Sequence, residues 1–138
     1  MMKNKTQNRT GATAVEFAMV APLFFLALFV CFEFGRMSMV EAFAEDAAFR
    51  AARHVIVLGA TVDESTEEAA NRLAILGVRN AEITVEPSVN GVIQTEIDDT
   101  TDSVAVRISI QMRDNVLVTG FFRDHVIERE AVISTERF

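Results

Sequence analysis

The sequence predicts an α+β fold: a long N-terminal α-helix, a second short helix, then a small antiparallel β-sheet of three or four strands. Three observations predict it. Residues 12–34 form an almost unbroken apolar run. Beyond them apolar residues recur at spacings of three and four as far as Gly59. After Arg79 the period changes to simple alternation of apolar and polar side chains. Helices followed by strands point to a sheet packed on the second half of the long helix. Three or four strands need such a cover to be stable. At 138 residues there is room for one small domain.

The elements follow in order. Residues 1–11 are polar and basic without periodicity and read as a leader. Residues 12–34 are 23 positions, roughly 35 Å of helix at about 1.5 Å per residue, long enough to cross a bilayer. Pro22 lies within this run, a residue that kinks helices but is better tolerated in membrane helices than in soluble ones. The helix is expected to continue over 35–58. There Val40, Ala44, Ala47, Ala51, Val55 and Leu58 make an amphipathic stripe, with Asp46 and Arg50 as an i,i+4 pair. Gly59 is the expected stop.

Residues 59–138 then form the α+β part. Ser65 and Glu68 have the spacing of a capping box for a second helix, with Ala69, Leu73 and Leu76 along one side and Gly77 at the end. Ile83 and Val85 alternate with Glu82, Thr84 and Glu86. Pro87 to Gly91 is expected to turn, with Asn90-Gly91 as its signal, and Ile93, Thr95 and Ile97 to continue the alternation. The clearest strand places Val104, Val106, Ile108, Ile110 and Met112 on one face and Ala105, Arg107, Ser109 and Gln111 on the other. A last, less regular strand is expected over Val126 to Thr135.

Charge is distributed asymmetrically. Residues 1–11 hold Lys3, Lys5 and Arg9 and no acid, whereas the rest carries ten arginines against twenty acids, a net −10. An acidic chain without a basic face argues against nucleic-acid binding. A basic tail ahead of an apolar segment places that tail in the cytoplasm and the acidic remainder across the membrane. Cys31, the single cysteine, can form no intrachain disulfide. Phe29 and Val30 before it are too large for a lipoprotein signal, which needs small side chains there.

Within the apolar run Glu16 is an anomaly, because a carboxylate at the centre of a bilayer costs about 3 kcal/mol on insertion scales. One reading lets it snorkel to water at the cytoplasmic surface. The stretch "GATAVEFAMVAPLFF…EFGRM" supplies another, for it resembles the TadE-like family of minor pilins, or pseudopilins, of the Tad (Flp) type IV pilus system. The likeness rests on an ordered set: a basic leader, Gly11, Glu16 five residues on, Phe17 beside it, then the apolar helix and its extension "VEAFAEDAAFRAARHVIV".

What the resemblance implies is processing by a prepilin peptidase between Gly11 and Ala12, before rather than after the apolar segment, so that the membrane helix survives. It implies a role in pilus biogenesis, adhesion and surface attachment. The expected partners are the peptidase, other Tad pilins and pseudopilins, the inner-membrane assembly platform and the lipid bilayer. The expected location is the bacterial inner membrane, single-pass, with the N-terminus cytoplasmic and the C-terminal domain periplasmic, and incorporation in the extracellular pilus left open. In pilin assemblies a glutamate in this place pairs with the new N-terminal amine of a neighbouring subunit, a role that falls here to Glu16 and Ala12. The family also tends to have an "EFGR"-like exit, here Glu33, Gly35 and Arg36, which is read as the outer interface with Arg36 as counter-charge to Glu33.

The other chemistry-bearing residues carry bland readings. His54 and His125 lack companions at metal-ligand spacing. "DDTTD", Asp98 to Asp102, lacks the glycine and ligand count of a dedicated calcium loop and reads as solvated. Phe121-Phe122 either caps the sheet core or touches a bilayer or partner. No nucleophile elbow, phosphate loop or acid/base constellation is present, so no catalytic residue, metal or cofactor is expected. The rivals are an uncleaved single-span protein with a periplasmic interaction domain, and an enzyme built on the acids of residues 98–102.

Overall fold

The computed structural model describes residues 7–94, 97, 101–116 and 121–134, with side chains from residue 11 onward. The architecture is α+β as the sequence predicts. Helix α1 spans Gln7–Leu58, 52 residues or roughly 78 Å, and contains Pro22. Helix α2 spans Val62–Ala74. Strands β1 (Ala81–Val89), β2 (Val92–Ile93), β3 (Ser103–Gln111) and β4 (Val126–Ser134) form one antiparallel sheet in the order β2-β1-β3-β4.

The alanine-rich second half of α1 is explained by what it touches. Val40, Ala44, Ala47, Ala48, Ala51, Ala52 and Val55 are buried, and their short side chains let the sheet and α2 approach the helix closely. Leu58 departs from the expected stripe and is exposed, because the helix ends there and the chain turns away over Gly59. Gly59 takes the left-handed conformation, φ 67°, that a side chain would resist.

The N-terminus of α2 lies four residues earlier than expected. Thr61, in extended conformation, is the N-cap. Its hydroxyl accepts from the Glu64 N–H at 3.3 Å, and the Glu64 carboxylate accepts from the Thr61 N–H at 2.9 Å. Ser65 is not a cap at all. It is fully buried on the face it shares with Ala69 and Leu73, where small residues let α2 lie against α1. At the other end, Gly77 N–H reaches Ala74 O at 2.9 Å and Val78 N–H reaches Leu73 O at 3.2 Å, a Schellman closure around the left-handed Gly77.

In the sheet, Val104, Val106, Ile108 and Ile110 face inward and are fully buried, each contributing about 2 kcal/mol by removal from water. Met112 is buried with them, although it belongs to a short 3-10 turn, Met112–Asp114, rather than to β3. The register sets Ile83, Val85 and Pro87 of β1 opposite Ile108, Val106 and Val104. From the other side β4 brings Ile127, Ala131 and Ile133 into the same rows. Arg129 occupies an inward row too, and its guanidinium pairs with Glu41 of α1, tying the edge strand to the helix.

Pro87 does not open a turn. It lies within β1, where its carbonyl accepts from Gln94 N–H at 2.7 Å. The N–H and C=O of a strand residue point the same way, so the missing donor falls on the side away from β3 and leaves that ladder intact. The turn itself is Asn90-Gly91, both with positive φ (50° and 79°), joining Val89 to Val92 as a two-residue hairpin. Strand β2 is Val92–Ile93. The expected strand does not continue to Ile97, since β2 stops at Ile93 and both Gln94 and Ile97 lie outside any strand, while Thr95, Asp98, Asp99 and Thr135 lie outside the described residues, as do Lys3 and Lys5 of the leader.

Candidate functional site

The residues singled out by the sequence fall into two groups on α1, one at its N-terminal end and one where it meets the α+β domain. Gly11, Ala12, Glu16 and Phe17 all lie on the helix and are exposed, Phe17 by 70%. A Cβ at Gly11 would meet nothing within 4 Å, so the fold of this chain does not by itself require glycine there. Ala12 and Glu16 are four residues apart, hence on one helix face and about one turn, roughly 6 Å, from each other. From Val15 to Phe34 a succession of large apolar side chains is exposed, with Phe24 and Phe25 in edge-to-face contact at 5.8 Å. Among the described residues nothing covers the most apolar stretch of α1, and it is long and apolar enough to cross a membrane.

The second group forms the neck between this bare stretch and the domain. Glu33 is 4% exposed and lines a small cleft with Arg36, Met112, Asn115, Val116 and Phe122. The Arg36 guanidinium donates to two backbone carbonyls, Asn115 O at 3.1 Å and Leu76 O at 3.4 Å. Leu76 stands in the turn that closes α2, where carbonyls lack helical partners, so one cation from α1 satisfies α2 and the loop after β3 together. Gly35, next to Arg36, is exposed. Phe122 lays its ring 6.3 Å from that of Phe34.

Asn115, which the sequence reading did not single out, is the hub of this neck. It is buried. Its side-chain oxygen accepts from Arg79 N–H at 2.8 Å, and its amide donates to Arg79 O and Gln111 O, both at 3.0 Å. One asparagine therefore joins the α2–β1 connection to the end of β3 and, through its own carbonyl, to Arg36. No periodicity or motif marks it. Its only signal is an asparagine beside an acid at the end of the strongest strand.

The remaining candidates resolve into supports. Asp102 accepts from Asn90 N–H at 3.0 Å and donates its own N–H to Ser88 O at 2.9 Å, which pins the incoming chain to the Asn90-Gly91 hairpin. His54 is half-buried and its Nδ1 has no hydrogen-bond partner among the described residues, whereas His125 is exposed and uses its backbone in bonds to Met112 and Phe122. Among the described residues, no three of the His, Cys, Asp and Glu side chains gather where they could hold a metal ion. Among the described residues outside the apolar stretch, two groups have shifted pKa values. The Thr61 backbone N–H and hydroxyl hold the Glu64 carboxyl below its ordinary value. On the outer face of the sheet, Glu130 at 3.2 Å, with Glu86 and Glu128 nearby, raises Arg107.

Fold and site together define a class: an α+β domain carried on a helix whose bare apolar half is long enough to be a membrane span. The sequence model of the TadE-like protein family matches residues 11–53, which covers Gly11, the apolar stretch, Glu33 and Arg36 on the α1 side of the neck, and most of the packed half of α1. The resemblance seen in the sequence is borne out over that segment, and the chain thus carries a TadE-like N-terminal region. No curated protein and no solved structure matches the chain. The family likeness stops before α2 and the sheet begin.

Proposed function

We propose that this chain is a minor pilin or pseudopilin of a Tad pilus, anchored in the bacterial inner membrane by the first half of α1 and carrying its α+β domain on the periplasmic side. The observation that carries the reading is the TadE-like segment beginning at Gly11, followed at the fifth position by Glu16 in an otherwise apolar exposed helix. A prepilin peptidase cuts between Gly11 and Ala12. The helix runs through this bond, so cleavage requires local unwinding, and glycine lowers its cost by about 1 kcal/mol relative to alanine.

Cleavage frees the Ala12 amine, whose ordinary pKa of about 8 leaves it largely protonated at neutral pH. It also makes Ala12 the start of the helix, so that the Glu16 carboxylate lies near the positive end of the helix dipole. In low dielectric an unpaired carboxylate is expensive, and an amine from a neighbouring subunit offsets much of that cost. Glu16 thereby favours a docked subunit over a misplaced one. The protein does no catalysis in this reading. Its exposed apolar helix supplies anchorage and lateral contacts with other pilins, and the domain supplies specificity toward the assembly platform and partner subunits.

The test is co-expression with the cognate prepilin peptidase. The chain is expected to shift to the shorter form, while Gly11→Leu stays full length because a branched side chain cannot enter a site shaped for glycine. Normal cleavage of Gly11→Leu would overturn the placement of the processing bond.

A further inference from the structure

Two large apolar side chains of the α+β domain lie exposed beside the exit of the apolar stretch, on different elements. Ile75, in the turn that closes α2, is 66% exposed, and Phe121, just ahead of β4, is 62% exposed. Both are fastened to the same turn of α1. Arg36 grips the carbonyl of Leu76, next to Ile75, and also that of Asn115. Phe122, next to Phe121, packs its ring on Phe34. Phe34 is the last residue of the apolar run. The domain therefore presents Ile75 and Phe121 at the level where α1 leaves the apolar layer.

We propose that the base of the domain rests on the membrane, with Ile75 and Phe121 inserted in the interfacial layer on the side where α1 emerges. This rests on the reading of the first half of α1 as a membrane span. Three features favour the bilayer as the occupant. Each stands next to a residue that meets the apolar run: Leu76, beside Ile75, shares a groove with Phe29 and Phe32, and Phe122, beside Phe121, packs on Phe34. Aromatic side chains are favoured at the level of the headgroups, where a span meets water. The neighbouring Arg79, Arg113 and Arg123 are exposed, and arginines beside such a surface extend their charge toward headgroups while their stems cover apolar surface. A span with one cation-bonded neck and two apolar feet holds the domain at a fixed height and tilt, which a single helix passing through a bilayer does not.

The chain contains no tryptophan, so each single replacement Phe121→Trp, Ile75→Trp, Phe25→Trp or Phe49→Trp makes a sole emitter in an otherwise dark full-length protein. All four positions are exposed and have room for the larger ring. The variants are reconstituted into vesicles of phosphatidylcholine and phosphatidylglycerol, with the phosphatidylcholine either normal or brominated along its acyl chain. Phe121→Trp and Ile75→Trp are expected to lose most of their emission in the brominated vesicles, as is Phe25→Trp within the span. Phe49→Trp, fifteen residues or roughly 22 Å along the helix from Phe34, is expected to keep it. Undiminished emission from Phe121→Trp and Ile75→Trp, with Phe25→Trp quenched, overturns the proposal and leaves the span standing. Undiminished emission from Phe25→Trp removes the span and the proposal with it. Quenching at Phe49→Trp as well would show a domain lying flat on the membrane, which also contradicts a docked base. A blue shift at Phe121→Trp that bromine does not quench and that grows with protein concentration assigns the patch to a second copy and sinks the proposal.

Discussion

Glu16 and Asn115 are both polar residues in apolar surroundings, and they illustrate opposite ways of being accommodated. Asn115 is satisfied within the chain: its side chain holds both backbone groups of Arg79 and the carbonyl of Gln111. Replacing it with alanine leaves those groups without partners in the neck, at a cost of about 2 kcal/mol. Denaturant titration of detergent-solubilised Asn115→Ala is expected to show that loss, and an unchanged midpoint would mean the hub is dispensable. Glu16 stands on a surface that no described part of the chain covers. Its value is therefore expected to appear only between subunits. Glu16→Ala should insert into membranes as well as the parent chain or better, since an intramembrane carboxylate is removed, yet fail to support assembled pili. Normal pili from Glu16→Ala would leave snorkelling as its sole role.

At the scale of the elements, legibility in the sequence followed periodicity. The second half of α1 and strand β3 were readable because a stripe of alanine and valine and a strict alternation each specify one buried face, and those faces are the ones buried. The start of α2 was not readable because two Ser/Thr-x-x-Glu spacings stand four residues apart, Thr61 to Glu64 and Ser65 to Glu68. A helix turn returns to nearly the same face after four residues, and only packing against α1 decides that Ser65 is buried and Thr61 is the cap. Pro87 misled for a related reason: whether its missing N–H breaks a strand depends on which neighbour lies on that side. The cap has a testable pH signature. Since the Glu64 pKa is lowered in the folded state, its contribution is full above the ordinary glutamate value and is lost as pH falls through the folded value. Thr61→Ala is expected to destabilise α2 by about 1 kcal/mol at neutral pH. Thermal unfolding should show the gap between Thr61→Ala and the parent chain narrowing on acidification to about pH 3. A gap independent of pH would show that the carboxylate takes no part in the cap.

For the whole molecule, the division of α1 is the organising feature. One half is bare and apolar, the other is the spine against which α2 and the sheet pack, and the neck of Glu33, Arg36 and Asn115 lies between them. The sequence announced the two halves through composition, and Glu33, Gly35 and Arg36 stand where one half gives way to the other. It did not announce that Arg36 bonds backbone carbonyls of two other elements, because those partners, Leu76 and Asn115, are distant in sequence and contribute carbonyls rather than recognisable side chains. The TadE-like match spans residues 11–53, so what resembles the family is the bare half of α1 and most of its packed half, while α2 and the sheet lie beyond the match. The central claim turns on a single bond at the start of this spine. Mass spectrometry of the membrane-purified protein, made in cells that contain the prepilin peptidase, reads that bond directly. The account predicts a mature N-terminus at Ala12; an intact chain beginning at Met1 or Met2 would contradict it.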